Sequence, residues 1–499
     1  MAVVIETSDG AFIDHAKALE KVYNKVQINT QTVGSCSLIS DLFDIHEPYK
    51  MDSQVLAEQT SKEKGVPQRK RKRKRKSELN IGEIEAKKYH SQIVQRVTDV
   101  HRKLTDKARA MGIIRDKSEF VSSLARKDVQ DKEDSETGNE VSGPEVLDNN
   151  IAARGAASIR GGDTSLIDVC QTEAPLTDCQ PPVMEMTEQM KLSDCVNRVI
   201  RNNWSIPRLC HFDSETYIVP HKSTFLLSDF NHLQNIYPTS DEEKYDLIVL
   251  DPPWQNKSVK RKKMYGSLRD EDLLSICMKK LAAPGCLVVV WVTNRMKHLE
   301  FVKETLFPKW SVTHVAEWHW LKVTKYGEMI YDINSDHKKP YEIILLGRYN
   351  EPQQPKLCMG QRNSSEKPTK ENKEENTSRS DSASVKISCV KTDTEEKEIV
   401  TESGGSLVVG IPQDSGSKEL SSVYKKKGED LEAFPDSRVI ISVPCALHSV
   451  KPPLFEVLKK YLKENPRCLE LFARNLWPHW TSWGNEVLLH QHMDFYEFK

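Results

Sequence analysis

The chain has 499 residues, of which 38% are hydrophobic and 29% charged, and its net charge is −1. A mean hydropathy of −0.58 indicates that a sizeable part of the chain stays unfolded around a globular part. The near-zero net charge results from basic and acidic segments that cancel, so it says little about binding partners.

Two further features bound the class of protein. No apolar run approaches the length of a membrane span, and the N-terminus lacks the order of a signal peptide, so we expect a soluble intracellular protein. The eleven cysteines form no Cys-x-x-Cys pair and have no zinc-like spacing to histidines. They therefore predict reduced thiols and no metal site.

Residues 1–66 mix apolar and polar residues, are too few to bury a core alone, and could add strands to a larger sheet. The segment 67–126 opens with an unbroken run of Lys and Arg over residues 69–76. Such dense like charge keeps a chain extended and is typical of a nuclear-import signal, with attraction to nucleic acid as a second role. A solvated linker without a receptor is the alternative.

A helical period of apolar residues follows between residues 81 and 111. The residues on this apolar stripe are Ile93, Val97, Val100, Leu104, Ala108 and Met111. Two interpretations remain open: the helix packs on its own protein, or it makes a coiled-coil-like contact with a protein partner. Residues 127–190 are acidic and then rich in Gly, Ala, Thr and Pro, which predicts a disordered linker.

Residues 191–350 and 434–499 alternate between apolar strand-like runs and helical patterns, as in an α/β domain with a parallel sheet covered on both faces. Strands are expected at 224–229, 245–250, 286–292, 312–321, 341–347, 438–443, 468–474 and 483–489. Helices are expected at 194–200, 270–281, 298–306 and 454–461. The polar stretch 351–433 between the two parts reads as a disordered insertion that divides one fold.

One stretch carries the chemistry: the buried strand 245–250 stops at Asp251-Pro252-Pro253-Trp254. Prolines cannot continue a ladder, and each keeps a carbonyl acceptor. The corner therefore offers a carboxylate, carbonyls and an indole at the carboxyl end of a strand, where ligands bind in open α/β sheets. Asp251 and the Pro252 carbonyl can accept from an amine of a planar base while Trp254 stacks on its ring. An ordinary strand-end turn with a core tryptophan is the alternative.

At these residues the chain resembles the Asp-Pro-Pro-Trp amino methyltransferases related to the mRNA-adenosine enzymes. The resemblance covers residues 195–350 and 434–499. It implies a Rossmann-like fold with permuted motif order and S-adenosylmethionine-dependent methylation of the exocyclic amine of adenine in nucleic acid. It also implies small nuclear RNA as the substrate, with the target adenosine carrying a 2′-O-methyl group, and DNA adenine as a second possibility.

The resemblance also implies site residues. Those for the cofactor are Asp229, Asp251, Lys451, Glu470, Arg474, Asn485 and Glu486, and Tyr265 matches a tyrosine near the methyl-transfer site. Ala473 stands where the family usually has glycine, which reduces backbone freedom there. No Gly-x-Gly-x-x-Gly is present, so the cofactor follows from the resemblance alone.

The loop after Trp254 is strongly basic. Its cations are Lys257, Lys260, Arg261, Lys262 and Lys263. Next to a base-binding corner such cations can neutralise the phosphates flanking a target nucleotide, so RNA, and DNA as a second candidate, is the expected partner. A flexible solvated loop is the alternative. For the whole chain, the alternatives to a nuclear enzyme are a non-catalytic nucleic-acid-binding partner subunit and a nuclear scaffold.

Overall fold

The structure, a computed structural model, describes residues 3–49, 80–114, 117, 183–254, 268–335, 338–351, 434–447 and 449–499. The predicted import signal, the basic loop with Tyr265, and nearly all of the predicted insertion lie outside these residues. Described residues on both sides of the insertion belong to one compact unit. No helix among them is long and apolar enough to cross a membrane.

Nineteen strands are found in the described part of the chain. They are β1 Val3–Glu6, β2 Gly10–Ile13, β3 Val26–Gln27, β4 Val33–Gly34, β5 Cys36–Leu38, β6 Met184–Glu185, β7 Gln189–Met190, β8 Val199–Arg201, β9 Arg208–Phe212, β10 Glu215–Val219, β11 Thr224–Leu227, β12 Tyr245–Leu250, β13 Ala282–Val292, β14 Val312–Lys322, β15 Tyr341–Tyr349, β16 Val439–Ser442, β17 Cys468–Leu471, β18 Trp480–Gly484 and β19 Tyr496–Phe498.

The α-helices are mostly short. They are α1 His15–Val22, α2 Ile81–Ala110, α3 Leu192–Cys195, α4 Met278–Leu281, α5 Met296–Glu300, α6 Phe307–Lys309 and α7 Phe455–Leu458. A π-helical segment, Phe301–Leu306, joins α5 to α6. Short 3₁₀ helices cover Ser40–Phe43, Phe230–Ile236, Asp241–Glu243, Asp270–Ser275, Lys459–Tyr461, Leu489–Gln491 and Met493–Phe495.

Twelve strands form one sheet in the order β1-β2-β16-β14-β15-β13-β12-β17-β18-β11-β8-β6. The central strand β12 runs parallel to both of its neighbours, β13 and β17. Its side chains alternate between two cores: Ile248 and Leu250 join one apolar cluster, and Leu247 and Val249 join the other. A strand buried on both faces must be apolar throughout, which explains the unbroken run. The predicted α/β class is confirmed.

The parallel sheet predicted for this domain also contains antiparallel pairings, because β15 lies antiparallel between β13 and β14. A parallel crossover needs a dozen or more residues and usually a helix. Residues 323–340 contain no described helix, so the chain returns beside β14 as a long hairpin. The sheet is therefore mixed, with parallel strands on both sides of β15.

Three predicted elements differ from the structure. The helix expected at 194–200 is limited to α3, and Val199 and Ile200 belong to β8, which pairs antiparallel with β11. The expected helix 270–281 is a 3₁₀ turn followed by α4, and β13 already begins at Ala282. The last long strand ends at Gly484 instead of beginning at residue 483. Short elements such as these take their state from sheet pairing and not from local pattern.

The N-terminal residues contribute to the main sheet, because β2 pairs parallel with β16. The linker expected at 127–190 contains two short strands at its described end, β6 and β7, which pair with β8 and β9. A smaller sheet has the order β10-β9-β3-β4, with β7 beside β9, and β19 pairs with β5.

Helix α2 begins with a capping box, in which the Asn80 side chain accepts from the Glu83 N–H and the Glu83 carboxylate accepts from the Asn80 N–H. Its apolar stripe is buried against the sheet, and Val97 and Leu104 are 0% exposed. Gly10 allows the close approach: a Cβ there would lie 2.8 Å from the Val100 side chain. Packing on its own protein is confirmed, although Met111 is exposed because it caps the helix.

Candidate active site

The carboxyl ends of four parallel strands meet at one edge of the main sheet. Strand β17 lies between β12 and β18, and β18 also pairs with β11. This order brings the ends of β12, β17, β18 and β11 side by side. It places Asp251, Arg474, Glu486 and Asp229 at one edge of the sheet, although they come from both parts of the domain.

The corner after β12 is a tight turn. The Trp254 N–H donates to the Pro252 carbonyl at 2.8 Å, and the Asp251 N–H donates to the Leu471 carbonyl at 3.4 Å. A carbonyl has two lone pairs, so the Pro252 oxygen keeps one acceptor position. Pro252 is buried and Pro253 half-buried, which holds the corner in one conformation.

Trp254 does not present the open face that the sequence predicts. The side chain is 6% exposed and belongs to the apolar core. Its indole N–H donates to the Trp291 carbonyl at 2.8 Å, and its ring stacks on His298 at a centroid distance of 4.8 Å. The prediction that this ring stacks on a base is at odds with its burial. The burial of the Trp254 ring and the hydrogen bond of its N–H together hold the corner in place.

Asp251 lies between two cations. Its Oδ2 is 3.5 Å from the Lys451 Nζ and 3.8 Å from the Arg474 Nη1. Lys451 also binds the Glu342 carboxylate at 2.7 Å, and Lys322 pairs with the other oxygen of Glu342. Lys451 further lies over the Trp291 ring at 5.1 Å. These groups form a network of alternating charge, so no charge in it is left without an opposite neighbour.

The pKa values follow from burial and from these partners. Burial raises the pKa of Asp251, Lys451 and Arg474 oppose the rise, and Glu342 adds to it. Burial alone would also raise the pKa of Glu342, but Lys451 and Lys322 outweigh it and lower that pKa to about 2. The lowered pKa keeps Glu342 ionised near neutral pH, where it pairs with Lys451.

Glu470 has the most perturbed carboxyl group at this edge. Burial, and secondarily the charge of Asp251, raises its pKa to about 8 against the opposing effect of Arg474. Its Oε2 is buried and has no hydrogen-bond partner within the described ranges, and Asn475 Nδ2 shares both properties. Such groups need a partner. A ribose diol next to a strand-end acid would supply one, so Glu470 fits the predicted S-adenosylmethionine.

The turn after β17 is shaped by close backbone contacts. Arg474 Nε donates to Glu486 Oε2 at 3.1 Å, which ties this turn to the one after β18. A Cβ at Gly484 would lie 2.4 Å from the Ala473 carbonyl oxygen, so only glycine fits there. The left-handed residue is Phe472, with φ 63°, and not Ala473. The alanine therefore carries no backbone strain, contrary to the concern that its sequence position raises.

The remaining predicted residues divide into two groups. Asp229 caps the 3₁₀ turn that follows β11 and lies 2.9 Å from His232 Nδ1. Asn485 lies between Gly484 and Glu486 at the same edge. Tyr265 and the five cations of the basic loop lie outside the described residues. Within the described part of the chain, no group of His, Cys, Asp or Glu could hold a metal ion.

Glu342 and Lys322 are not among the site residues that the sequence predicts. Both lie on strands assigned to the core, at the ends of β15 and β14 that face Asp251. A signal for Glu342 was present, because an acid interrupts the otherwise apolar start of the strand Tyr341-Glu342-Ile343. A half-buried acid in such a strand requires a cation, and the pairing of β14 with β15 supplies Lys322.

The chain is similar in sequence to known methyltransferases. The MT-A70 family profile matches residues 245–379 and 381–486. The chain is 36% identical over 421 residues to the human N(6)-adenine-specific methyltransferase METTL4, covering 84% of this chain and 69% of the relative. It is 24% identical over 490 residues to the Caenorhabditis elegans DNA N6-methyl methyltransferase, covering 96% of each.

A fungal relative is also similar. The N6-methyladenosine RNA methyltransferase MTA1 of Cryphonectria parasitica is 29% identical over 311 residues, covering 60% of this chain and 66% of the relative. The fold and the site thus define an α/β methyltransferase whose corner follows its central strand. The chain belongs to the MT-A70 family, as the resemblance at Asp251–Trp254 predicts.

Proposed function

We propose that this protein transfers a methyl group from S-adenosylmethionine to the exocyclic N6 amine of adenine in nucleic acid. One observation carries the proposal: Asp251 is held at a rigid strand-end corner between Lys451 and Arg474, next to the unpartnered carboxyl oxygen of Glu470. The corner supplies acceptors for an amine, and the adjacent groups supply polar partners for a cofactor. Family membership supports the same reaction.

The residues act by position and charge. When bound, the cofactor supplies an electrophilic methyl group. Asp251 and the free lone pair of the Pro252 carbonyl accept from the amine, which favours a pyramidal nitrogen with a localised lone pair. Asp251 can then receive or relay the proton that the amine loses. Glu342 and Lys451 keep the carboxylate oriented toward the substrate, and Glu470 and Arg474 are the groups available to the cofactor.

Among nucleic acids, RNA is the substrate that we propose. The sequence resemblance points to small nuclear RNA in which the target adenosine carries a 2′-O-methyl group, and the basic loop after Trp254 supports a polyanionic substrate. The relatives' names include both RNA and DNA methyltransferases. DNA adenine is therefore the second substrate to test.

Incubation with tritiated cofactor and fractionated nuclear RNA and DNA tests this proposal. Digestion of the labelled fraction to nucleosides should give N6-methyladenosine, or its 2′-O-methyl form, from small nuclear RNA. Label in deoxyadenosine would assign DNA instead. If the wild-type chain binds S-adenosylhomocysteine, the demethylated cofactor, but labels no nucleic-acid fraction, the protein is a non-catalytic partner subunit.

We also propose that the protein acts in the nucleus, on the basis of the basic run at residues 69–76. A fluorescent reporter fused to residues 60–80 should accumulate in the nucleus, and the same fusion with these cations replaced by Gln should not. A diffuse wild-type reporter would contradict the import role. The 499-residue chain with the same Gln replacements should keep its activity in vitro.

A further inference from the structure

A buried histidine packs against the tryptophan that ends the active-site corner. His298 in α5 is 1% exposed, and its ring stacks on that of Trp254 with a centroid distance of 4.8 Å and an angle of 21° between the two planes. The backbone N–H of Trp254 donates to the Pro252 carbonyl at 2.8 Å. Trp254 therefore links His298 to the backbone turn that begins at Asp251.

Two further elements orient the His298 ring. Its Nδ1 is 2.7 Å from the hydroxyl of Thr293, which directly follows β13. Its Nε2 is 3.8 Å from the carboxylate of Asp270, whose side chain is 5% exposed and also pairs with Lys297 at 3.2 Å. Because β13 runs parallel beside β12, the contacts of His298 connect the end of β13 to the corner at the end of β12.

The His298 ring is neutral near neutral pH. Burial lowers its pKa, Asp270 opposes this fall, and the cations Arg295 and Lys297 add to it. A neutral imidazole contributes a ring face and a hydrogen bond at Nδ1, so another neutral side chain can replace it without a change of charge. The ring contact and the hydrogen bond can therefore be removed separately.

We propose that His298 is a positioning residue for methyl transfer, which holds Asp251 and the Pro252 carbonyl in place for the amine by stacking on Trp254. The part of this inference that concerns the reaction rests on the proposed function. The role is indirect, because His298 contacts Trp254 and Trp254 contacts the corner. Acceptors are effective only when they are held in place before the amine arrives, since misplacement by about 1 Å can lower a rate about a hundredfold.

Two neutral replacements of His298 in the 499-residue chain test the stack. His298→Phe keeps an aromatic face for Trp254 but cannot bond to Thr293, whereas His298→Asn keeps a polar group near the position of Nδ1 and removes the ring. Hydrogen exchange of the Trp254 amide reports the corner without any reaction, because the two prolines before it have no N–H. His298→Asn should raise this exchange rate about tenfold through loss of one aromatic pair, and His298→Phe should stay within about threefold of wild type.

Single-turnover methyl transfer to a saturating adenine-containing oligonucleotide measures the effect on the reaction. The rate of His298→Asn should fall at least about tenfold, and that of His298→Phe should stay close to wild type. Leu104→Ala is the control for lost stability, because Leu104 lies in the same apolar core as Trp254 but packs near Gly10 of β2. It should keep the wild-type rate per folded molecule.

The outcomes separate this inference from the proposed function. An unchanged rate in His298→Asn would overturn the positioning role, and so would a slow His298→Phe beside an active His298→Asn. Should His298→Phe not fold, His298→Asn and Leu104→Ala still give the comparison. If wild type labels no nucleic acid, the proposed function fails, and the exchange rates alone decide whether His298 holds the corner: faster exchange in His298→Asn supports that role, and equal exchange overturns it.

Discussion

At the residue scale, the proposed activation of the amine requires that Asp251 keep both side-chain oxygens as acceptors. Asp251→Asn replaces one of them with a donor, while burial and backbone geometry stay the same. We expect turnover to fall by at least about a hundredfold, comparable to removal of one oxyanion-hole group, with little change in affinity for S-adenosylhomocysteine. Single-turnover methyl transfer measures the first quantity and calorimetry the second.

Asp246→Asn is the matched control for this prediction, since Asp246 lies on the same strand at its opposite end. Its carboxylate accepts from the Arg467 N–H at 2.9 Å and pairs with Lys463 at 3.0 Å, away from the corner. Its turnover should stay near that of wild type. Equal single-turnover rates for Asp251→Asn and wild type would exclude activation of the amine by Asp251.

The raised pKa of Glu470 predicts that the stability of the folded protein depends on pH. Its pKa is raised to about 8 in the folded protein from an ordinary value of 4.5. Between these two values the folded chain holds a proton that the unfolded chain has released, so this group's contribution to stability falls as pH rises. The slope is at most about 1.4 kcal/mol per pH unit, which corresponds to one proton. Glu470→Gln stays neutral and should remove this part of the decline.

Urea unfolding of wild type and Glu470→Gln at several values between about pH 5 and pH 8 measures the effect. As pH rises, the unfolding free energy of Glu470→Gln should increase relative to that of wild type. Glu464→Gln, at an exposed position on the same segment, should parallel wild type throughout. Parallel curves for Glu470→Gln and wild type would show that Glu470 is already ionised in the folded protein.

At the element scale, helix α2 is held by its apolar stripe. Leu104 is 0% exposed and contributes to the same core as β12. Leu104→Ala should lower the free energy of unfolding by about 2–5 kcal/mol, through lost burial and a residual cavity. Thermal or urea unfolding of the isolated protein gives this value.

Arg102→Ala on the same helix is the control, because the Arg102 side chain is 73% exposed and should change stability by less than about 0.5 kcal/mol. Had the stripe served a protein partner, the isolated protein would tolerate Leu104→Ala as well as it tolerates Arg102→Ala. An equal stability of the two variants would revive that interpretation.

At the scale of the whole molecule, we propose that the basic loop that follows the corner contributes to nucleic-acid binding. Replacing Lys257, Lys260, Arg261, Lys262 and Lys263 by Gln should weaken binding similarly across sequences. It should also flatten the dependence of affinity on salt, by about 0.9 units of log–log slope per lost contact on duplex DNA and about 0.7 on single strands. Binding of a short adenine-containing oligonucleotide at several salt concentrations measures this slope.

A control with Lys279 and Lys280 replaced by Gln keeps the loop intact while removing two exposed cations of the same domain. Its salt dependence should match that of wild type. If the loop variant also keeps the wild-type slope and affinity, the loop is solvated and has no part in substrate capture.

The sequence determined the features that depend on short-range chemistry. Two consecutive prolines cannot continue the ladder of a buried central strand, so the corner and its acid were readable from the residues alone. A 30-residue helix with a regular apolar stripe was equally readable, because its period is set by the helix itself. Glu470 and Arg474 were identified by resemblance, and the structure places both near Asp251.

The tertiary structure decided what depends on partners distant in the chain. Trp254 is followed by a basic sequence, yet its ring is buried because it stacks on His298 and its N–H donates to the Trp291 carbonyl. The direction of β15 follows from the hairpin with β14, and only that pairing brings Glu342 and Lys322 to the corner. The N-terminal strands are too short to form a core of their own, and they join the main sheet because β2 pairs with the edge of β16. Contacts of this kind are set by packing and hydrogen bonding between segments, which no local pattern encodes.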